Sequence, residues 1–282
     1  MNLKMVTGLM IAASVVFSPL VMAQISTPQI TGPRDELVVE IMELAFAKSN
    51  FNTTISHRKK AENSARLVEE VKGGNLSVMW AGATQQMQQD LQAIKIPLFK
   101  GLLGHRIFII EDSQHAEFST ISDFTDLKNY KAGLGRFWGD TEILENAGID
   151  VVKPVKAESL FYMVDGRRFD YLPLAVHEVW EVVDSYPQLN ISVDSNVLLI
   201  YPMAMYLYVE KGNDALYQAL NDGLEAAISD GSFDEMFYNS ELISKSFDLA
   251  KIQQRKVIHI PNPMLPADVP LDRQELWINT DL

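Results

Sequence analysis

The chain has 282 residues, no cysteine, 24 Lys and Arg against 37 Asp and Glu, and a net charge of −13. That length suffices for one large domain or two lobes. The acidity argues against nucleic acid and anionic lipid as partners. The lack of cysteine rules out a disulfide framework, a thiolate nucleophile and a cysteine-based metal site.

Residues 1–23 read as a secretory signal peptide: Lys4, an apolar run from Val6 to Val16, then Val21-Met22-Ala23 at the cleavage positions. The run is shorter than the roughly 20 residues of a membrane span. No later segment is apolar enough to cross, so no membrane anchor is expected. A soluble chain secreted to the bacterial periplasm, starting near Gln24, is the expectation.

Strand-like and helix-like patterns then alternate. Residues 35–48 predict a helix with Leu37, Val38, Ile41, Met42, Ala45 and Phe46 inward. A second helix covers 60–72 and stops at Gly73-Gly74. Leu76–Trp80 is a strand, with a polar helix starting near Thr84. His105–Ile110 is a β-branched strand. Short elements follow: a helix over Asp123–Asn129, a strand over Tyr130–Leu134, Val151-Val152, a helix over Glu158–Asp165 and a strand over Phe169–Leu174. Ala175–Ser185 is helical. Asn196–Ile200 and Ala204–Val209 are strand-like runs around Tyr201-Pro202, and the last third is helical over 213–229, 232–238 and 241–255. Pro261, Pro263, Pro266 and Pro270 predict an extended surface tail.

This alternation argues for α/β architecture with mostly parallel sheets, whose ligands sit at loops leaving strand C-termini. Two loops fit: WAGATQQMQ (Trp80–Gln88) and GLGRFWGDT (Gly133–Thr141). In the second, Asp140 is expected to cap the helix and Gly148 to end it. Thr141 and the helix-start N–H groups suit an oxygen-rich group. Arg136 offers a positive charge or an exposed ion pair; Phe137 and Trp138 offer a ring to stack on or simple packing. Trp80, Thr84 and Gln85 are candidates by position, as is Arg106, which enters a cleft or makes a structural ion pair. Gly133-Leu134-Gly135 with Gly139 misses the dinucleotide spacing by one, so no cofactor is expected. His57, His105, His115, His177 and His259 show no metal-ligand spacing. His177-Glu178 borders the expected cleft, and no nucleophile–base arrangement is readable.

The stretches GGNLSVMW, ATQQMQQDLQAIKIPLFKGLLGHRIFII, SLFYMVDGRRFDYL and DALYQALNDGLEAAISDGSFDEMF occur in an order that resembles the two-lobed periplasmic solute-binding proteins of polar amino-acid ABC uptake, solute-binding protein family 3. The resemblance implies a type II periplasmic-binding-protein-like fold with two hinge crossings. Residues 24–112 plus 206–282 would form one lobe and 116–200 the other, with hinges near 111–116 and 201–205. It also implies a monomer that captures a small polar solute between its lobes for an ABC-type permease. A sensor component, a periplasmic lyase on the same fold (with Glu178 or His177 as acid or base) and a cleft that has lost small-molecule binding are the alternatives. Amino-acid binders of this family carry an arginine three residues after a threonine and an aspartate just past a second-lobe strand. Here those places hold Met87 and Ala175, and the next acid is Glu178. An ordinary α-amino acid is therefore not the expected ligand.

Overall fold

The computed structural model describes residues 23–278; the expected signal peptide, apart from Ala23, lies outside them. The first lobe opens with strand β1 (Ala23–Thr27), helix α1 (Pro33–Lys48), β2 (Thr53–His57), α2 (Ser64–Lys72), β3 (Val78–Gly82), α3 (Gln85–Asp90) and β4 (Gln92–Ile94). The six apolar positions expected to face inward from α1 are all buried. Asn63 caps α2 by accepting from the Arg66 N–H, and Gly73 ends it. β1 and β2 are parallel, Ser77 beside β3 bonds to Ser26, and β3 pairs antiparallel with Met205–Val209.

The second lobe contains β5 (His105–Glu111), α4 (His115–Phe118), α5 (Phe124–Leu127), β6 (Ala132–Gly133), α6 (Gly139–Asn146), β7 (Val151–Val152), α7 (Ser159–Asp165), β8 (Leu172–Ala175), α8 (Val179–Ser185), β9 (Ile191–Val193) and β10 (Val197–Ile200). β6 and β7 are parallel, and a bridge from Ala132 to Tyr171 carries them onto β8. β5 lies antiparallel to β8, β9 and β10. The chain then returns through β11 (Met205–Val209), α9 (Asp214–Ser229), α10 (Ser232–Asn239) and α11 (Glu241–Ala250), and β12 (Lys256–His259) follows. β11 sits between β3 and β4, antiparallel to both. Parallel pairing thus joins β1–β2, β6–β7 and β10–β12. β5 and β11 run antiparallel to their neighbours because each enters from the opposite lobe.

Two segments depart from expectation. β5 belongs to the second-lobe sheet, so the chain first passes between sheets along 95–104 rather than near 111–116. Residues 256–259 pair with β10 in that same sheet, so the stretch after 206 is not confined to the first lobe. The tail beyond them is not an extended surface segment: Val269 and Leu276 are buried and the Trp277 ring covers Gly101. Leu98–Leu103 join the core under α1 to β8 and α8, so one apolar cluster spans both lobes.

The tightest helix contact is α1 against α9. A Cβ on Gly223 would stand 2.0 Å from the Ala45 carbonyl oxygen. Gly223→Ala is expected to cost about 1–3 kcal/mol through overpacking, read as a lower urea midpoint at constant m-value. An unchanged midpoint would mean that α9 shifts freely on α1.

Candidate functional site

The two lobes meet over a set of charged side chains. The turn after β1 carries Thr31, Pro33, Arg34 and Asp35 into α1, with Pro33 in the first turn, where its missing N–H is harmless. Asp35 is buried. Its carboxylate accepts from the Thr31 backbone N–H (3.1 Å), the Thr31 hydroxyl (2.6 Å) and the Trp80 indole N–H (3.0 Å), and Arg34 lies 3.3 Å away. Burial opposes its ionisation, but Thr31, Arg34 and Trp80 together hold its carboxyl below the usual range. From the second lobe, Glu178 reaches toward Arg34 at 3.6 Å. Thr31–Asp35 face His177, Glu178 and Glu181 across a cavity of about 150 Å³.

Deeper in, Arg106 at the start of β5 is 5 % exposed, Asp140 8 % and Tyr201 1 %. One Asp140 oxygen accepts from the Arg106 guanidinium and from the Tyr201 hydroxyl, both at 2.6 Å. Burial disfavours the guanidinium charge, and Asp140, Tyr201 and Glu178 outweigh it. Asp140 is therefore not the helix cap expected of it. Trp138 occupies the N-cap position of α6 without a capping bond, and Asp140 sits in the first turn. A buried guanidinium requires a carboxylate more than the open N–H groups of a helix start require a cap. Gly148 does end the helix region with φ 83°.

Around this pair the Gly133–Thr141 turn is tightly built. The Thr141 hydroxyl donates to the Gly135 carbonyl at 2.8 Å. The Trp138 ring lies over Gly135, where a Cβ would meet it at 2.7 Å. Phe137 is 82 % exposed, and the Arg136 guanidinium donates to the Lys153 carbonyl at 3.4 Å. Neither contacts the Arg106 or Arg34 groups. In the first lobe, Thr84 caps α3 by accepting from the Met87 N–H at 3.1 Å, and Thr84 and Gln85 are exposed. The structure thus gathers Trp80, Arg106, Asp140 and Glu178 into the charged seam and leaves Thr84, Gln85, Arg136 and Phe137 outside its contacts.

Arg34, Asp35 and Tyr201 were not legible as site residues. A Pro-Arg-Asp helix start directly after a strand is the signal for the first two, and it depends on seeing β1. His177 is the other buried group here. Its ring stacks on Phe99 with centroids 5.3 Å apart, and neither ring nitrogen has a hydrogen-bond partner. Glu178 Oε1 is 3.7 Å from Nε2. Burial drives the His177 pKa down to about 4, so the ring is neutral at pH 7. Burial opposes ionisation of Glu178 as well, yet His177, Arg106 and Arg34 keep its carboxyl below the usual range.

Neither a family model nor a curated protein matches the chain. Solved structures do. An ancestral arginine-binding protein bound to arginine superposes with a TM-score of 0.53 at 15% identity, over 77% of this chain and 97% of that one. The fold is that of the two-lobed periplasmic binding proteins. A periplasmic binding protein from Silicibacter pomeroyi in complex with lysine gives a TM-score of 0.52 at 10% identity, over 77% of this chain and 95% of its own. A histidine kinase sensor domain with similarity to periplasmic binding proteins gives 0.51 at 14%, over 78% and 96%. At these identities the likeness is one of fold.

Two outcomes follow from the seam. Asp140→Ala leaves the Arg106 charge buried without its carboxylate and should cost about 3–5 kcal/mol in urea unfolding; a loss under about 1 kcal/mol would put the pair in the class of exposed ion pairs. His177 and His105 both have folded pKa values of about 4 against 6.5 when free. Between those values the unfolded chain binds more protons, so stability falls as pH drops from 6.5 toward 4. His177→Gln should flatten that slope in urea titrations at several pH values; an unaltered slope would remove His177 as its source.

Proposed function

We propose that this protein is a secreted solute-binding component that captures a small polar molecule carrying both charge signs and passes it to an ABC-type permease. The observation that carries the reading is the Arg34–Glu178 contact, 3.6 Å long, between the lobes over the 150 Å³ cavity. A partly exposed ion pair contributes only about 0–1 kcal/mol, so a solute can replace it at little cost. A carboxylate or similar anion would take Arg34 in a forked geometry, and an ammonium would take Glu178. Asp35 and Trp80 stand directly behind Arg34, and their mutual hydrogen bond pre-orients that wall. Met87 and Ala175 stand where arginine and aspartate would read the α-carboxylate and α-amino group in the resembling family. The seam's charges come instead from Arg34 and Glu178, which favours a zwitterion other than a standard α-amino acid.

Lyase chemistry in the same cleft has less support. A general acid or base works best with a pKa near the operating pH, and His177 and Glu178 are both moved away from neutrality.

Thermal-shift screening with zwitterions, amines and organic acids should find a compound that raises the melting temperature, because binding to the folded state alone stabilises it. Calorimetry with that compound should then show affinity weakened about tenfold or more in Arg34→Ala and in Glu178→Ala. Unchanged affinity in both variants would overturn the placement, and the absence of any stabilising zwitterion would overturn the ligand class.

A further inference from the structure

A second, larger cavity adjoins the seam. It lies between α1 and α11 of the first lobe and α8 of the second, with a volume of about 480 Å³, inside the roughly 300–1,000 Å³ typical of small-molecule pockets. Its charges are lopsided: Glu36, Glu40, Glu181, Asp184 and Glu241 line it against the single ammonium of Lys245. None of these carboxylates is ion-paired among the described residues. Glu36 and Glu40 stand four apart on α1, and Glu181 and Asp184 three apart on α8. Such like-charge neighbours each destabilise a helix by about 0.2–0.5 kcal/mol. Two helices carrying that cost toward one concavity create a locally negative field that concentrates cations.

A second observation is independent of the acids. His177 lines the same cavity with its side chain 1 % exposed. Both its ring nitrogens lack a hydrogen-bond partner in the protein. A buried imidazole without a partner forfeits about 1–3 kcal/mol of hydrogen bonding. Kept neutral by burial, it offers one nitrogen as an acceptor for an N–H donor. The indole of Trp180 also lines the cavity, and an ammonium over an indole face is attracted by the ring quadrupole. Among the described residues no three His, Asp or Glu side chains stand close enough to hold a metal ion. The carboxylates are spread around the cavity instead, a spacing that suits an extended cation with separated charges.

We propose that this cavity is a binding site for a small aliphatic diamine or polyamine, with His177 accepting from one ammonium and the α1, α8 and α11 carboxylates holding the others. The site adjoins the zwitterion seam and shares Pro33, His177, Glu181 and Leu242 with its wall, whereas Glu36, Glu40, Asp184 and Glu241 line this cavity alone. Because its walls come from both lobes, an occupant favours their approach, as any ligand does for the state that it contacts better.

The test is calorimetry on the mature full-length protein with 1,5-diaminopentane and spermidine as probes and glutarate as a dianion of similar length. Glu40→Gln, Asp184→Asn and Glu241→Gln are combined in one variant, since all three side chains sit at exposed helical positions. Its melting temperature without ligand checks that the fold is retained. Saturable amine binding, at least about tenfold weaker in the triple variant and weakened by salt, with no heat from glutarate, supports the site. Trp180→Leu in the otherwise unchanged chain should weaken the amines as well. No saturable amine binding, equal affinity in the folded triple variant, or glutarate binding as tightly as the amines would each overturn it.

Discussion

A single carboxylate oxygen of Asp140, shared by the Arg106 guanidinium and the Tyr201 hydroxyl, is the contact on which the second-lobe end of both chain passages depends. Arg106 is the second residue of β5, just after the first passage from the opposite lobe. Tyr201 follows β10, just before the return. Asp140 lies in the first turn of α6. One buried group therefore clamps both passages of the chain to the turn that presents Gly133–Thr141. Removing ions from water costs several kcal/mol each, and only close geometry with further hydrogen bonds recovers it. The surroundings supply that geometry. Gly104 lies against the Tyr201 carbonyl, where a Cβ would come to 1.9 Å, and Met203 places its sulfur 3.5 Å from the guanidinium. The Arg106 Nε remains without a partner.

Periodic segments of this molecule were legible in the sequence because their signal is local. The inward stripe of α1, the glycine ends of α2 and α6, the helix start near Thr84 and the apolar runs of β5, β10 and β11 all come from spacing within one element. The short strands β1, β2, β4, β9 and β12 were not legible. Thr53–His57 and Lys256–His259 have mostly polar or exposed residues, and they are strands only because a neighbouring strand offers its open edge. The site failed for a related reason. Asp140 satisfies every local rule for a helix cap, yet a guanidinium from a distant strand claims its carboxylate. Arg34 and Glu178 meet only because two lobes fold together, and no spacing rule connects residues so far apart in the chain.

The C-terminal segment adds a constraint that the family resemblance did not imply. After α11 the chain lays β12 along β10 in the second lobe and then returns to the first. There Lys95 pairs with Asp268 at 2.6 Å, Arg273 forks onto Glu225 at 2.6 and 2.8 Å, and the Ile278 N–H donates to the Lys100 carbonyl at 2.8 Å. Lys100 itself is buried, with its ammonium 2.7 Å from Asp234 and 5.7 Å above the Phe233 ring. The chain therefore passes between the two sheets on either side of β12 as well as along 95–104 and 201–204.

Charge is sorted by depth in this molecule, and that sorting separates its two cavities. The chain as a whole is acidic, at −13, but the seam between its lobes holds Arg34 and Arg106 among Asp35, Asp140 and Glu178. A cleft that holds both signs selects a solute by the placement of opposite groups. The adjoining cavity keeps its carboxylates unpaired and exposed, so it attracts by field and discriminates less by geometry. His177 lines both cavities. Its neutrality lets it border both cavities without adding charge to either. Were that ring protonated, it would lose its acceptor and place a cation beside Arg34. Burial prevents this at neutral pH.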